Sequence, residues 1–97
     1  MKAIITKNAP SAIGPYSQAI EAGGMVFASG QLPINPETGE FAEGGIKEQT
    51  RQSIMNAKAI LEEAGLGLSN VVKTTVLLSE IADFGAMNEV YASFFSE

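Results

Sequence analysis

The sequence predicts an α+β domain of two layers, a sheet with two helices on one face. Three observations carry that expectation. Strand-like patterns with a glycine-pair turn fill the first third, a long helical stripe fills the middle, and a further strand pattern leads into a second helical stripe at the end.

Taken in order, Lys2 to Thr6 forms a short first strand, which Asn8, Pro10 and Ser11 break. Tyr16 to Ala22 and Met25 to Ser29 are two strands joined by Gly23-Gly24, a pair that accepts the positive φ angles of a tight type I′ hairpin. Pro33 to Gly39 is a loop: Asn35-Pro36 suits the start of a type I turn and Gly39 a left-handed position after it.

From Lys47 to Ala64 helix formers dominate, Ile54, Ala57, Leu61 and Ala64 recur at helical spacing, and Gly65 supplies a C-terminal stop. Val71 to Ser79 alternates between a mostly apolar face (Val72, Thr74, Val76, Leu78) and a mixed one, as a strand does. Asp83 is placed to cap a second helix with Phe84, Met87, Tyr91 and Phe94 in one stripe and Val90 beside it. The segment from Met25 to Ser79 then reads as a strand, helix, strand unit with parallel strands and a right-handed crossover. Residues 1–97 are read as a single domain without repeat, low-complexity tract or linker.

Composition narrows the chemistry. The chain contains no His and no Cys, which removes the Ser-His dyad, the thiolate nucleophile, imidazole acid-base catalysis and the usual zinc and iron ligand sets. Acid-base work is left to carboxylates, Tyr, Lys or bound water. The net charge of −5, with five Lys and one Arg scattered along the chain, gives no electrostatic footprint for a phosphate backbone, so nucleic-acid binding is disfavoured. No apolar run reaches membrane-spanning length, and the short run Ala3-Ile4-Ile5 is not a signal-peptide core, so a cytoplasmic location without membrane attachment is expected. A hydrophobic content of 45% with only 18% charged residues is high for a small domain and predicts burial against other subunits; a monomer with an ordinary apolar surface is the alternative.

The densest concentration of conformationally special residues is IGPYSQAI, Ile13 to Ile20, followed by FASGQLPINPETGE, Phe27 to Glu40. Together with TRQSIMNAKAILEEAGL and NVVKTTVLLSEIADFGAMNEVYASFF, in this order and at these spacings, they resemble the Rid family, also called the YjgF family, of enamine and imine deaminases over the whole chain. The resemblance implies a chorismate-mutase-like α+β fold assembled as a homotrimer, with a ligand cleft at each subunit interface. It implies hydrolysis of reactive 2-aminoacrylate-type enamines and their imine tautomers to 2-oxo acids and ammonia, without metal or cofactor.

Position by position, it assigns Tyr16 to the cleft tyrosine, Ser29 and Gly30 to the small residues lining the ligand side, and Asn88 to a polar position near the same cleft. Those roles suit a small imino or 2-oxo acid: Tyr16 offers an aromatic wall with a hydroxyl, and the bare Cα of Gly30 lets backbone approach a planar ligand. Spacing alone favours Tyr16 as a half-buried strand tyrosine with its hydroxyl at the rim, and Ser29-Gly30 as a strand end turning into a loop, the commoner reason for that pair.

In the family the chain continues past the second helix with a Pro-Ala-Arg-type segment and two more strands, which carry a carboxylate-clamping arginine and a water-positioning glutamate. This sequence reaches Phe95-Ser96-Glu97, so neither position has a counterpart. The catalytic residues are therefore unassigned, and the domain is expected to lack the last two family strands. The alternative to a deaminase is accordingly a non-catalytic trimeric protein that binds 2-oxo acids. An endoribonuclease-like role is disfavoured by the acidic charge and the lack of His. Arg51, Glu62-Glu63, Glu40 and Glu43 read as solvated surface charges, Lys73 as an ordinary strand lysine, and Met25, Met55 and Met87 as core or interface fillers.

Overall fold

The computed structural model describes residues 1–95; Ser96 and Glu97, with which the expected chain ending was framed, lie outside them. The element order is β1 (Lys2–Ile4), β2 (Ala19–Ala22), β3 (Met25–Ala28), α1 (Ile46–Glu63) and α2 (Phe84–Phe94), with single 3-10 turns at Leu68–Asn70 and Ile81–Asp83. The strands form an antiparallel sheet in the order β1-β2-β3. At the hairpin, Gly23 and Gly24 take φ of 59° and 78°, the two positive values that the type I′ turn demands.

Register decides which side of the sheet is buried. Ile4 lies opposite Ala19, which lies opposite Ala28, and the neighbouring row is Ala3, Ile20 and Phe27. Because successive side chains alternate between faces, the Ile4–Ala19 row turns toward α1, where Ile60, fully buried, closes a core with Ile4, Ala9 and Ala19. Val26, Ala59 and Ala64 pack around it. The opposite face presents Phe27 (60% exposed) and Met25 (50%).

α2 packs on α1, burying Met87 and Val90 and half-burying Tyr91 and Phe94. Phe84, expected in the same stripe, is exposed at the N-terminal end. Two surface contacts tie the helices: Lys47 Nζ lies 3.0 Å from Glu89 Oε2, and the Arg51 guanidinium stands 5.5 Å from the Phe94 ring centroid. Exposed pairs of this kind contribute about 0.2–1 kcal/mol each.

Three expectations are corrected. The strand expected over Val71–Ser79 does not join the sheet, so the parallel pair with a crossover is not formed among the described residues. Alternation supplies two faces, but a strand also needs a neighbour for its N–H and C=O groups, and from Val72 to Leu78 no backbone hydrogen bond is made among the described residues. Asp83 stands at the N-cap of α2 yet makes no side-chain capping bond, because the 3-10 turn at Ile81–Asp83 runs straight into the helix. Finally, β2 begins at Ala19 rather than Tyr16. Pro15 has no N–H to donate, and Tyr16 spends its own on Gly14 O at 2.9 Å, a local bond that keeps the segment out of the ladder.

Candidate functional site

Ser29 and Gly30, at the end of β3, are joined to the segment that follows Tyr16 by one bond that continues the β2–β3 register and one side-chain bond that the ladder does not supply. Ser29 follows the last residue of β3, and its Oγ donates to Ser17 O at 2.7 Å while its N–H donates to Gln18 O at 3.0 Å. The irregular segment carrying Tyr16 is thereby fastened to the end of β3. The hydroxyl proton of Ser29 is used inside the chain, so toward a ligand this oxygen acts as an acceptor. The Tyr16 side chain is 52% exposed beside this junction.

Gly30 continues from it. Its φ lies outside the left-handed region, and a Cβ placed there would meet nothing within 4 Å. Neither backbone conformation nor packing within the chain therefore demands glycine here. The bare Cα faces open space, and the Gly30 N–H has no hydrogen-bond partner among the described residues. The next fixed points are Leu32 and Ile34, whose carbonyls accept from Asn56 Nδ2 at 3.1 and 2.8 Å. The Gly30–Gln31 step is thus a short bridge held at both ends.

Two buried amides, absent from the sequence expectation, do much of this holding. Asn56 on α1, 1% exposed, also accepts from Gln52 Nε2 at 2.8 Å. Four residues before Ile60, it shares the buried side of α1, which lies one position before the Ala57 and Leu61 of the expected stripe. Gln18, 3% exposed, accepts from Thr6 N at 2.7 Å, and its Nε2 donates to Thr6 O, Ala9 O and Pro10 O at 3.0, 3.3 and 2.8 Å. No local pattern marks it, because all of its side-chain partners lie eight or more residues away.

Asn88 is not joined to the other three by any hydrogen bond among the described residues. It lies exposed on α2. Arg51 is exposed and engaged with Phe94. A shallow groove of about 420 Å³ runs between Leu68–Thr74 and the last turn of α2; Lys73 and Tyr91 line it, and none of the four assigned residues does. Chemically, the Tyr16–Ser29–Gly30 corner offers one aromatic face, a phenolic hydroxyl, a hydroxyl acceptor and an unpaired amide donor. No group of three or more Asp and Glu side chains is placed to hold a metal ion among the described residues.

The same arrangement of elements recurs in known proteins. A family model described as endoribonuclease L-PSP matches residues 6–97. A RutC family protein of Pyrococcus horikoshii is 58% identical over 94 residues, covering 97% of this chain and 75% of that protein. The 2-iminobutanoate/2-iminopropanoate deaminase of Salmonella typhimurium is 50% identical over 96 residues, covering 99% and 74%. Among solved structures, E. coli TdcF with bound serine superposes with a TM-score of 0.94 at 46% identity, covering 98% of this chain and 74% of that one. The chain thus spans about three quarters of the length of these relatives. It has their α+β fold and belongs to the endoribonuclease L-PSP family, in which proteins named RutC, RidA and YjgF are found.

Proposed function

We propose that residues 1–97 act as one domain that deaminates small enamine and imine acids of the 2-aminoacrylate type, at a cleft lined by Tyr16, Ser29, Gly30 and, from α2, Asn88. The observation that carries this reading is the Tyr16–Ser29–Gly30 corner, fastened by Ser29 yet open at the Gly30 amide and the Tyr16 hydroxyl. The deaminase named above, half of whose matched residues are identical, supports the substrate class. So does the serine bound to TdcF, an amino acid of similar size to the proposed substrate.

The reaction balances without a cofactor. The enamine shifts a proton from nitrogen to its methylene carbon to give the imine; water adds to the imine carbon; the C–N bond then breaks, the nitrogen leaves as ammonia, and a 2-oxo acid remains. In this scheme the Gly30 N–H donates to the substrate carboxylate and the Tyr16 ring and hydroxyl orient the imine, positioning that favours attack by water. The cleft is completed by a neighbouring protomer in a homotrimer, consistent with the open Phe27–Met25 face of the sheet. A cytoplasmic setting suits such short-lived substrates, and no helix among the described residues is long and apolar enough to cross a membrane.

The test is a coupled assay in which 2-aminoacrylate is generated in situ and ammonia release is followed. Faster release with the protein is expected, and a rate equal to the protein-free control would overturn the reading.

One observation favours a second reading, that of a non-catalytic binding protein for 2-oxo acids. The single arginine of the chain sits over Phe94 and is not joined to the Tyr16–Ser29–Gly30 corner, so a bidentate carboxylate clamp is missing from the described site. Calorimetric titration with 2-oxobutanoate separates the two, since binding without turnover selects the second and absence of both defeats each.

A further inference from the structure

We infer that Gln18 is a positioning residue for Tyr16, acting through the loop between Thr6 and Pro10; the inference rests on Tyr16 being a site residue, as proposed above. Tyr16 belongs to no strand, and its own N–H turns back on Gly14. Its place is therefore set by what holds the residues after it. On one side Ser29 fastens Ser17 and Gln18 to the end of β3. On the other, the Gln18 side chain reaches across to the chain leaving β1 and satisfies four of its polar groups, one N–H and three carbonyls.

The bonding pattern has consequences for substitution. The amide oxygen of Gln18 is needed as an acceptor and its NH2 as a donor, so no carboxylate or aliphatic side chain of equal length replaces both. Two N–H bonds serve three carbonyls, with the Ala9 contact the longest at 3.3 Å. Burial removes water as a substitute, and loss of the amide leaves the Thr6 N–H and the Thr6 and Ala9 carbonyls short of partners in a site that is 3% exposed at Gln18, 7% at Thr6 and 2% at Ala9. The loop then relaxes outward, and the Gly14–Ser17 segment keeps only its Ser29 side.

Tyr16 can report this directly. The protein has no Trp and two Tyr, so Tyr91→Phe, which removes a hydroxyl bonded to Thr74 on the far groove, leaves Tyr16 as the only strong near-ultraviolet fluorophore. In that background Gln18→Ala and the isosteric Gln18→Glu are compared with Asn56→Ala, which removes an equally buried amide that holds the Leu32–Ile34 loop instead. Fluorescence anisotropy and iodide quenching of Tyr16 are read with the urea midpoint of each variant.

The expected result is lower anisotropy and stronger quenching in both Gln18 variants, with Asn56→Ala unchanged in both signals despite a lowered midpoint. For 2-oxobutanoate, the affinity of the Gln18 variants falls by about tenfold or more, since small misplacements of a binding group carry penalties of that order. Unchanged Tyr16 signals in Gln18→Glu, or equal changes in Asn56→Ala, overturn the inference. A parent protein that fails to bind 2-oxobutanoate while the fluorescence pattern holds counts against the proposed function and leaves the positioning of Tyr16 established.

Discussion

At Gly30 a folding requirement and the proposed ligand role can be tested apart at a single residue. Its backbone lies outside the left-handed region and an added Cβ meets nothing, so Gly30→Ala should leave the urea midpoint unchanged or raise stability by about 0.4–1 kcal/mol through the unfolded state. The same substitution puts a methyl group on the face where a planar ligand would lie, and calorimetry should show 2-oxobutanoate binding sharply weakened. A variant that is destabilised but binds normally would reverse the assignment. Asn56 carries the opposite expectation: removing its buried amide takes the donor from the part-buried carbonyls of Leu32 and Ile34, and Asn56→Ala should cost about 1–3 kcal/mol in urea unfolding. Asn56 could have been read from the sequence only with the buried side of α1 placed one residue before the expected Ala57 and Leu61, since a polar residue on the side of Ile60 must find partners. Gln18 could not, because consecutive Gln18 and Ala19 are both buried where strand alternation permits one of them to face the core.

At the scale of elements, the hairpin and the existence of the long helix were legible because their causes are local. Gly23-Gly24 dictates the turn and the period of α1 dictates a helix, but its most buried side runs through Asn56 and Ile60, one position before the expected Ala57 and Leu61, because the contact with the sheet sets that side. The stretch from Val71 to Ser79 shows where that logic ends, for its alternation is real but no strand among the described residues pairs with its backbone. Val72 and Leu77 are 84% and 90% exposed as a result. Amide hydrogen exchange should find Val72 to Leu78 close to unprotected rates while the β2–β3 ladder is protected. Protection of Val72–Leu78 equal to that of β2 would show that this segment is paired in solution. The helix pair makes a milder prediction, since Lys47–Glu89 and Arg51–Phe94 are exposed: Lys47→Ala should lower stability by no more than about 1 kcal/mol, less in high salt.

For the whole molecule, one face of the sheet is covered by helix and the other is not. Phe27 and Met25 on the uncovered face, with Ile5 at 73% exposure just beyond β1, present apolar surface of a kind that subunit interfaces bury. Sedimentation equilibrium is expected to show a trimer, and Phe27→Asp to shift it toward monomer without loss of helical circular dichroism. A wild-type monomer would remove the intersubunit cleft from the proposed function. By itself, the sequence determined the elements whose instructions lie within a few residues, namely the glycine turn, the helical stripes and the absence of imidazole and thiol chemistry, and its motif series identified the family. Only the tertiary structure decided that Tyr16 stands outside the strand, that Ser29 spends its proton on Ser17, and that Gln18 and Asn56 hold the walls around Gly30. Apart from the local bond from Tyr16 N–H to Gly14 O, those outcomes depend on hydrogen bonds between groups from 4 to 24 residues apart, and most of those partners become neighbours only once the Ile4–Ala19–Ile60 core has formed.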